Sequence, residues 1–159
     1  MLVGGNEVKL VFFDFDGTLC APNYLVDGVY TVGMPKARWE AFIEEKKEAI
    51  FEDCRPVTPV FAYAAKCKER GGRNIILTRT GSKTEDLAKQ RFVEKWYPGL
   101  FDEYISVRED REKVEVIKDK AAANAVALSE CELVEDTYSI LLEAVSEGIA
   151  GRHVTNLIG

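Results

Sequence analysis

The chain has 159 residues, of which 47% are hydrophobic and 30% are charged, and its formal net charge is −6. This length predicts a single domain, residues 1–159, with a substantial core. This excess of acidic over basic residues argues against a nucleic-acid-binding protein with a basic face, although it does not exclude a local basic patch. No apolar run approaches the ~18 residues of a membrane span, and the N-terminus lacks the pattern of a signal peptide.

The cysteines and the histidine argue against a structural metal or a disulfide framework. His153 is the single histidine, and the four cysteines include no Cys-x-x-Cys pair. We therefore expect reduced thiols and a cytoplasmic location.

The first clear element is an apolar segment, residues 8–13, which is broken only by Lys9 and predicts a buried strand. Asp14 and Asp16 follow it directly. Alternate side chains of an extended chain face the same side, so both carboxylates can face the edge beyond the strand. Gly17 then allows a sharp turn. Two acids there are costly unless a cation or hydrogen bonds compensate them.

The next segment, residues 20–55, has a different character. Its first part contains turn residues without a clean period, and Pro35 then opens a predicted helix over 36–51. Trp39 and Phe42 recur at helical spacing, and we expect them to pack on the body of the protein, with substrate contact as the alternative.

The rest of the chain alternates helices with strands. Helices are predicted from 58 to about 70, from 82 to 96, from 112 to 127 and from 137 to 147, and strands over 74–77, 104–107, 132–134 and 151–155. This order predicts parallel βαβ units with right-handed crossovers. The expected fold is α/β: a Rossmann-like, doubly wound, mainly parallel sheet with helices on both faces.

Polar side chains follow three of the predicted strands. They are Asp14 with Asp16, then Thr78, then Glu135 with Asp136. In a doubly wound sheet these strand ends open onto one edge, where ligands bind. Each group alone is weak evidence, and their convergence predicts a functional site.

The order of these features resembles the haloacid dehalogenase (HAD) superfamily. The apolar strand followed by Asp-x-Asp-Gly-Thr matches its nucleophile motif, and four motifs occur in the expected order between about Val8 and Asn156. The resemblance implies a magnesium-dependent phosphohydrolase. Asp14 would form an aspartyl-phosphate, and Asp16 would act as acid and base. Residues 20–55 would form a small helical type 1 cap.

The resemblance also implies residues for phosphate. Thr78 matches the second motif, and the adjacent Arg79 could fork onto a phosphate, with a solvent-facing role equally open. The third motif needs a lysine. We prefer Lys113, 23 positions before Asp136, and Lys118 is the alternative.

The implied metal is Mg²⁺, which prefers hard oxygen ligands. Asp136 matches the direct ligand of the fourth motif, and Glu135 matches an acid that replaces glycine in some subfamilies. Asp14 and the backbone carbonyl of Asp16 would complete the protein ligands. Ile140 stands where the commonest form has another Asp or Asn, so the coordination departs from the family pattern.

The substrate stays open. A small phosphorylated molecule is the first expectation, with Tyr24, Tyr30, Arg38 and Trp39 as candidate contacts. A weaker resemblance to the phosphatase domains of polynucleotide kinase-phosphatases makes a nucleic-acid 3′-phosphate end an alternative. A phosphomutase, a dehalogenase and a non-catalytic phosphate-binding protein are the rival functions, and the retained Asp16 disfavours the dehalogenase.

Overall fold

The computed structural model describes residues 7–158, together with the strand assignment of residues 2, 3 and 6. The expectation about a signal peptide rests on residues 1–6, whose side chains lie outside the described part. The strands, in chain order, are Leu2–Val3 (β1), Asn6–Glu7 (β2), Leu10–Phe13 (β3), Cys20–Ala21 (β4), Tyr24–Val26 (β5), Val29–Thr31 (β6), Arg55–Pro56 (β7), Arg73–Arg79 (β8), Glu103–Val107 (β9), Cys131–Glu135 (β10) and Ala150–His153 (β11). The α-helices are Lys36–Lys46 (α1), Thr58–Glu69 (α2), Lys83–Trp96 (α3), Lys113–Ala123 (α4) and Tyr138–Ser146 (α5). Short 3₁₀ helices cover Lys47–Ala49, Asp110–Glu112, Leu128–Glu130 and Val154–Leu157.

The central sheet is parallel and has the strand order β11-β10-β3-β8-β9. Strand β3 is its middle strand, with Phe13 opposite Val134 of β10 and Ile76 of β8. The chain runs outward from β3 to β9 and then returns to the other side of β3 at β10. This reversal creates a crevice between the carboxyl ends of β3 and β10, which is where doubly wound sheets bind ligands.

Strand β3 contributes to both faces of the sheet, as an interior strand should. Val11 and Phe13 belong to a core formed with α2, α3 and the segment between β4 and β7. Leu10 and Phe12 belong to a second core formed with α4 and α5. The helices therefore cover both faces, and the acids that follow β3 are held at the edge between two packed layers.

Residues 22–54 form an insert between β4 and β7, which pair antiparallel at its base. The insert holds helix α1 and also an antiparallel hairpin, β5–β6. The small helical cap expected over residues 20–55 therefore contains its helix and also a hairpin that was not predicted. The hairpin turn is Asp27-Gly28, whose φ angles of +50° and +78° suit a tight two-residue turn.

The insert packs on the core through aromatic side chains. Phe15 lies 5.0 Å from Phe51 and 5.3 Å from Phe92 of α3, between ring centroids. Trp39 of α1 lies 5.2 Å from Tyr24 in the same way. The packing expected for Trp39 and Phe42 is present, since both contact this core.

Several element ends differ from the sequence prediction. The strand predicted over 74–77 continues to Arg79, so Thr78 lies inside it. The helix predicted to reach Ala127 ends at Ala123, because Ala125 takes a left-handed φ of +55°. Helix α2 begins at Thr58 as predicted, and its N-cap, Val57, makes no capping hydrogen bond through its side chain.

The four cysteines are buried and free. Among the residues that the structure describes, no helix has the length and apolar character needed to cross a membrane.

Candidate active site

Asp14 lies at the carboxyl end of β3 and is 6% exposed. Its backbone N–H donates to the carbonyl of Val134 at 3.0 Å, so the ladder between β3 and β10 holds its position. Its Oδ1 accepts a hydrogen bond from Lys113 Nζ at 2.9 Å. A buried carboxylate with one open side and one cation is suited to attack an electrophile at this edge.

Lys113 is the first residue of α4, and its side chain is 2% exposed. Its Nζ also lies 3.0 Å from Glu135 Oε2. Lys118, the alternative from the sequence, pairs with Glu115 and Glu147 away from this cluster. The structure therefore places Lys113, and not Lys118, among the acids.

Asp14, Glu135 and Asp136 each offer a carboxylate oxygen, and these oxygens lie within 4.8 Å of one another. Three hard oxygen donors on adjacent strand ends fit a magnesium ion that keeps several waters. Glu135 Oε1 accepts hydrogen bonds from the backbone N–H groups of Asp136 and Thr137, at 3.2 and 3.3 Å. The three carboxylates are therefore the kind of ligand that Mg²⁺ prefers, and backbone hydrogen bonds already hold Glu135 in place. The carboxylate of Asp16 lies outside this set, and its backbone carbonyl remains a proposed ligand.

The charged groups of this cluster shift one another's pKa values. Burial raises the pKa of Asp14, and burial together with the nearby Asp14 raises the pKa of Glu135 to about 9. Burial by itself would lower the pKa of Lys113, but Asp14 and Glu135 hold it above its usual value. One ammonium therefore compensates the acids only in part, and a second cation would stabilise their ionised forms.

Gly17 shapes the approach of Asp136 to the other acids. Its φ is +74°, and a Cβ at this position would lie 2.1 Å from Asp136 Oδ2. The turn after β3 therefore requires glycine for two reasons, the backbone conformation and the space that Asp136 occupies.

His153 supports the same residue from β11. Its Nδ1 accepts from the backbone N–H of Thr155 at 3.2 Å, so its Nε2 carries the proton and donates to the carbonyl of Asp136 at 2.9 Å. The sequence assigned no role to His153. The structure shows that it fixes the backbone of Asp136.

Thr78 and Arg79 end β8 beside this cluster. Thr78 is buried, and its Oγ1 accepts from Lys89 Nζ at 2.8 Å. The side chain of Arg79 is 61% exposed, and its Nε lies 3.8 Å from Asp110 Oδ2. Thr78 is therefore held in place, whereas Arg79 stays accessible at the opening of the cleft.

Lys89 is a site neighbour that the sequence reasoning missed. It lies in α3, is completely buried, and its Nζ is 3.0 Å from Asp16 Oδ2. The sequence did contain a sign that Lys89 is buried. Lys89 lies at helical spacing on the same apolar face as Ala88, Phe92 and Val93. A lysine on the buried face of a helix indicates an acidic partner in the core.

A cleft with a volume of about 990 Å³ lies between the insert and the sheet edge. Tyr24 and Trp39 line it from the insert, whereas Tyr30 and Arg38 are not among the lining residues. Arg38 pairs with Asp27 at the hairpin turn. Arg79 and Arg108 lie on the opposite, sheet side of the cleft.

No protein-family model matches the chain, and no curated protein matches it in sequence. Solved structures do match. A phosphoserine phosphatase, solved as an analogue of its phospho-aspartyl intermediate, has a TM-score of 0.58 and 16% identity, covering 93% of this chain and 86% of its own. A haloacid dehalogenase-like family hydrolase from Streptococcus pneumoniae has a TM-score of 0.56 and 17% identity, with coverages of 91% and 83%.

A third match is 3-deoxy-D-manno-octulosonate 8-phosphate phosphatase from Moraxella catarrhalis, in complex with magnesium, phosphate and its sugar. Its TM-score is 0.50 at 17% identity, and the match covers 86% of this chain and 62% of that one. At such identities the likeness establishes the fold. The chain has the fold of these phosphatases, which confirms the predicted α/β, Rossmann-like, doubly wound architecture and, at the level of fold, the resemblance to the HAD superfamily.

Proposed function

We propose that this protein is a magnesium-dependent phosphohydrolase of the HAD superfamily that acts on a phosphate monoester. The observation that carries the proposal is the buried Asp14, which has Lys113 at 2.9 Å and carboxylate oxygens of Glu135 and Asp136 within 4.8 Å. This combination supplies a nucleophile, a fixed cation and oxygen ligands for a metal at one strand edge. The fold that the chain shares with the phosphatases named above supports the same activity.

Asp14 attacks phosphorus through a carboxylate oxygen, and the bond from phosphorus to the ester oxygen breaks. Asp16 gives its proton to that leaving oxygen, and the product is an aspartyl-phosphate on Asp14 with a free alcohol. Water then attacks the phosphorus of this intermediate, Asp16 takes the proton of the water, and the carboxylate of Asp14 is released with inorganic phosphate.

The charged groups around Asp14 hold the phosphoryl group. Thr78 donates its hydroxyl to a phosphoryl oxygen, and Lys113 and Arg79 offset the negative charge that develops on the others. Mg²⁺ bound by Asp14, Glu135, Asp136 and the Asp16 carbonyl would supply further positive charge at the phosphoryl oxygens.

Residues 20–55, which comprise the insert together with β4 and the first residue of β7, serve as the cap of the single hydrolase domain. Tyr24 and Trp39 form its wall of the cleft, and they are the insert residues that we assign to substrate contact. A small phosphorylated molecule fits a cleft of about 990 Å³.

A nucleic-acid 3′-phosphate end is the second candidate substrate. The accessible Arg79 and Arg108 on the sheet side of the cleft favour it, because they could bind the phosphates that neighbour the reacting one. Glu40 and Glu44 on the insert side of the same cleft oppose it. The small molecule therefore remains the first candidate.

Phosphate release from a panel of sugar phosphates, nucleotides and 3′-phosphorylated oligonucleotides tests the proposal, with Mg²⁺ or with EDTA. We expect release that needs Mg²⁺ and is lost in Asp14→Asn. Asp119→Asn is the matched control, because Asp119 lies on α4 beyond Lys113 and its side chain is exposed. Full activity of Asp14→Asn would refute the assignment. Transfer of phosphate within the substrate, without release, would indicate a phosphomutase, and Mg²⁺ binding without turnover would indicate a binding protein.

A further inference from the structure

Lys89 connects two groups of the site that belong to different strands. Its ammonium lies 3.0 Å from Asp16 Oδ2, 2.8 Å from Thr78 Oγ1 and 2.9 Å from the carbonyl of Arg79. Glu85, one turn earlier in α3, lies 3.3 Å away. The ammonium is thus surrounded by acceptors and is oriented by them.

The position of Lys89 is built into the core. Its side chain has no exposed surface, and its Nζ lies 5.1 Å from the ring centroid of Phe15. A buried ammonium is costly unless it is paired and hydrogen-bonded, and here both conditions hold. By contrast, the side chain of Asp16 is 52% exposed, so without Lys89 it would be free to change its rotamer.

The contact with Thr78 has a defined direction. An ammonium can only donate, so the Thr78 oxygen accepts from Lys89. The Thr78 hydroxyl donates in turn to the carbonyl of Arg79, at 3.5 Å. Lys89 therefore fixes the place of the Thr78 oxygen as well as that of the Asp16 carboxylate.

We propose that Lys89 is a positioning residue that holds Asp16 where it protonates the leaving oxygen and that fixes the place of the Thr78 oxygen beside it. The inference rests on the proposed phosphatase function and adds to it a residue from α3. Lys89 does not touch the reacting atoms, and it acts through Asp16 and Thr78.

The test uses a series of phenyl phosphates whose substituents make the leaving phenol a stronger or weaker base. Substrates with poor leaving groups need the proton of Asp16, whereas 4-nitrophenyl phosphate needs it little. We expect Lys89→Met to lower kcat/KM by about 10- to 100-fold for the poorest leaving groups, which is part of the about 100- to 10,000-fold that general acid catalysis contributes, and far less for 4-nitrophenyl phosphate. A purely structural role would lower kcat/KM equally across the series.

Asp16→Asn provides the double-mutant cycle. Because Lys89 acts through Asp16, we expect the leaving-group dependence of Asp16→Asn to be unchanged by the addition of Lys89→Met. Glu85→Gln is the matched control, since it removes the other carboxylate partner of Lys89 and leaves the contact with Asp16. It should keep the leaving-group dependence of the wild-type protein.

Lys89→Gln covers the case in which Lys89→Met fails to fold, since it keeps a donor and removes the charge. Two results would overturn the role of Lys89. One is a folded Lys89 variant whose kcat/KM depends on the leaving group as in the wild type. The other is a double variant in which the kcat/KM losses from Lys89→Met and Asp16→Asn add. Wild-type turnover of the series would still support the proposed function in that case. Absence of wild-type turnover would instead refute both.

Discussion

Replacing Gly17 by alanine tests whether the turn after β3 brings Asp136 to the metal site. Gly17 has a φ of +74°, where a side chain costs about 1–2 kcal/mol. Its Cβ would also lie 2.1 Å from Asp136 Oδ2 and 2.8 Å from its Cγ. Both distances are far below van der Waals contact, so the Asp136 carboxylate must move away from its place beside the carboxylates of Asp14 and Glu135.

Gly99 provides a matched control. Its φ is +73°, nothing lies within 4 Å of the position that a Cβ would take there, and it precedes β9 at the opposite edge of the sheet. Gly99→Ala has the same backbone cost without a steric clash. For a chain of this size, about 1–2 kcal/mol lowers the Tm by roughly 2–8 °C.

The assay is thermal unfolding with EDTA and at increasing Mg²⁺ concentration. A ligand at 100 times its Kd stabilises the folded state by about 2.7 kcal/mol, which corresponds to roughly 5–11 °C in Tm. We expect this Mg²⁺-dependent shift in the wild type and in Gly99→Ala, and its loss or strong reduction in Gly17→Ala, together with loss of phosphatase activity. A normal Mg²⁺-dependent shift in Gly17→Ala would refute the reasoning.

Two further predictions concern the charges around Asp14. Lys113→Met removes the ammonium and leaves buried acids unpaired, so we expect a loss of about 3–5 kcal/mol in the free energy of unfolding by denaturant titration. Lys118→Met, which breaks only solvent-screened pairs, should change it little, and equal losses in the two variants would contradict the assignment of Lys113. The second prediction concerns pH. Because burial and Asp14 raise the pKa of Glu135 from 4.5 to about 9, the folded protein keeps a proton that the unfolded chain releases. Without Mg²⁺, stability should therefore fall as the pH rises from about 5 to about 9, and less so in Glu135→Gln. An equal slope in Glu135→Gln, measured by denaturant titration in EDTA, would contradict this.

Much of the site was predictable because its signals are local in the chain. The two acids after a buried strand, the Asp-Gly turn and the acid pair at the end of β10 each lie within a few positions of one another, and the alternation of strands and helices places their strand ends on one edge. The same alternation determined the fold class. The hairpin in the insert was also signalled locally, by Asp27-Gly28 between two β-prone segments, but it was not recognised.

Other features depended on contacts between residues far apart in the chain. The choice between Lys113 and Lys118 rests on a distance of 2.9 Å to a residue 99 positions away, and helical spacing cannot supply such a distance. The pairing of Lys89 with Asp16 spans 73 positions. The sequence by itself therefore determined the acids, the strand order along the chain and the expected chemistry. Only the tertiary structure decided which cations neutralise those acids, because pairing energy depends on burial and on separations that arise when α3 and α4 pack against the sheet.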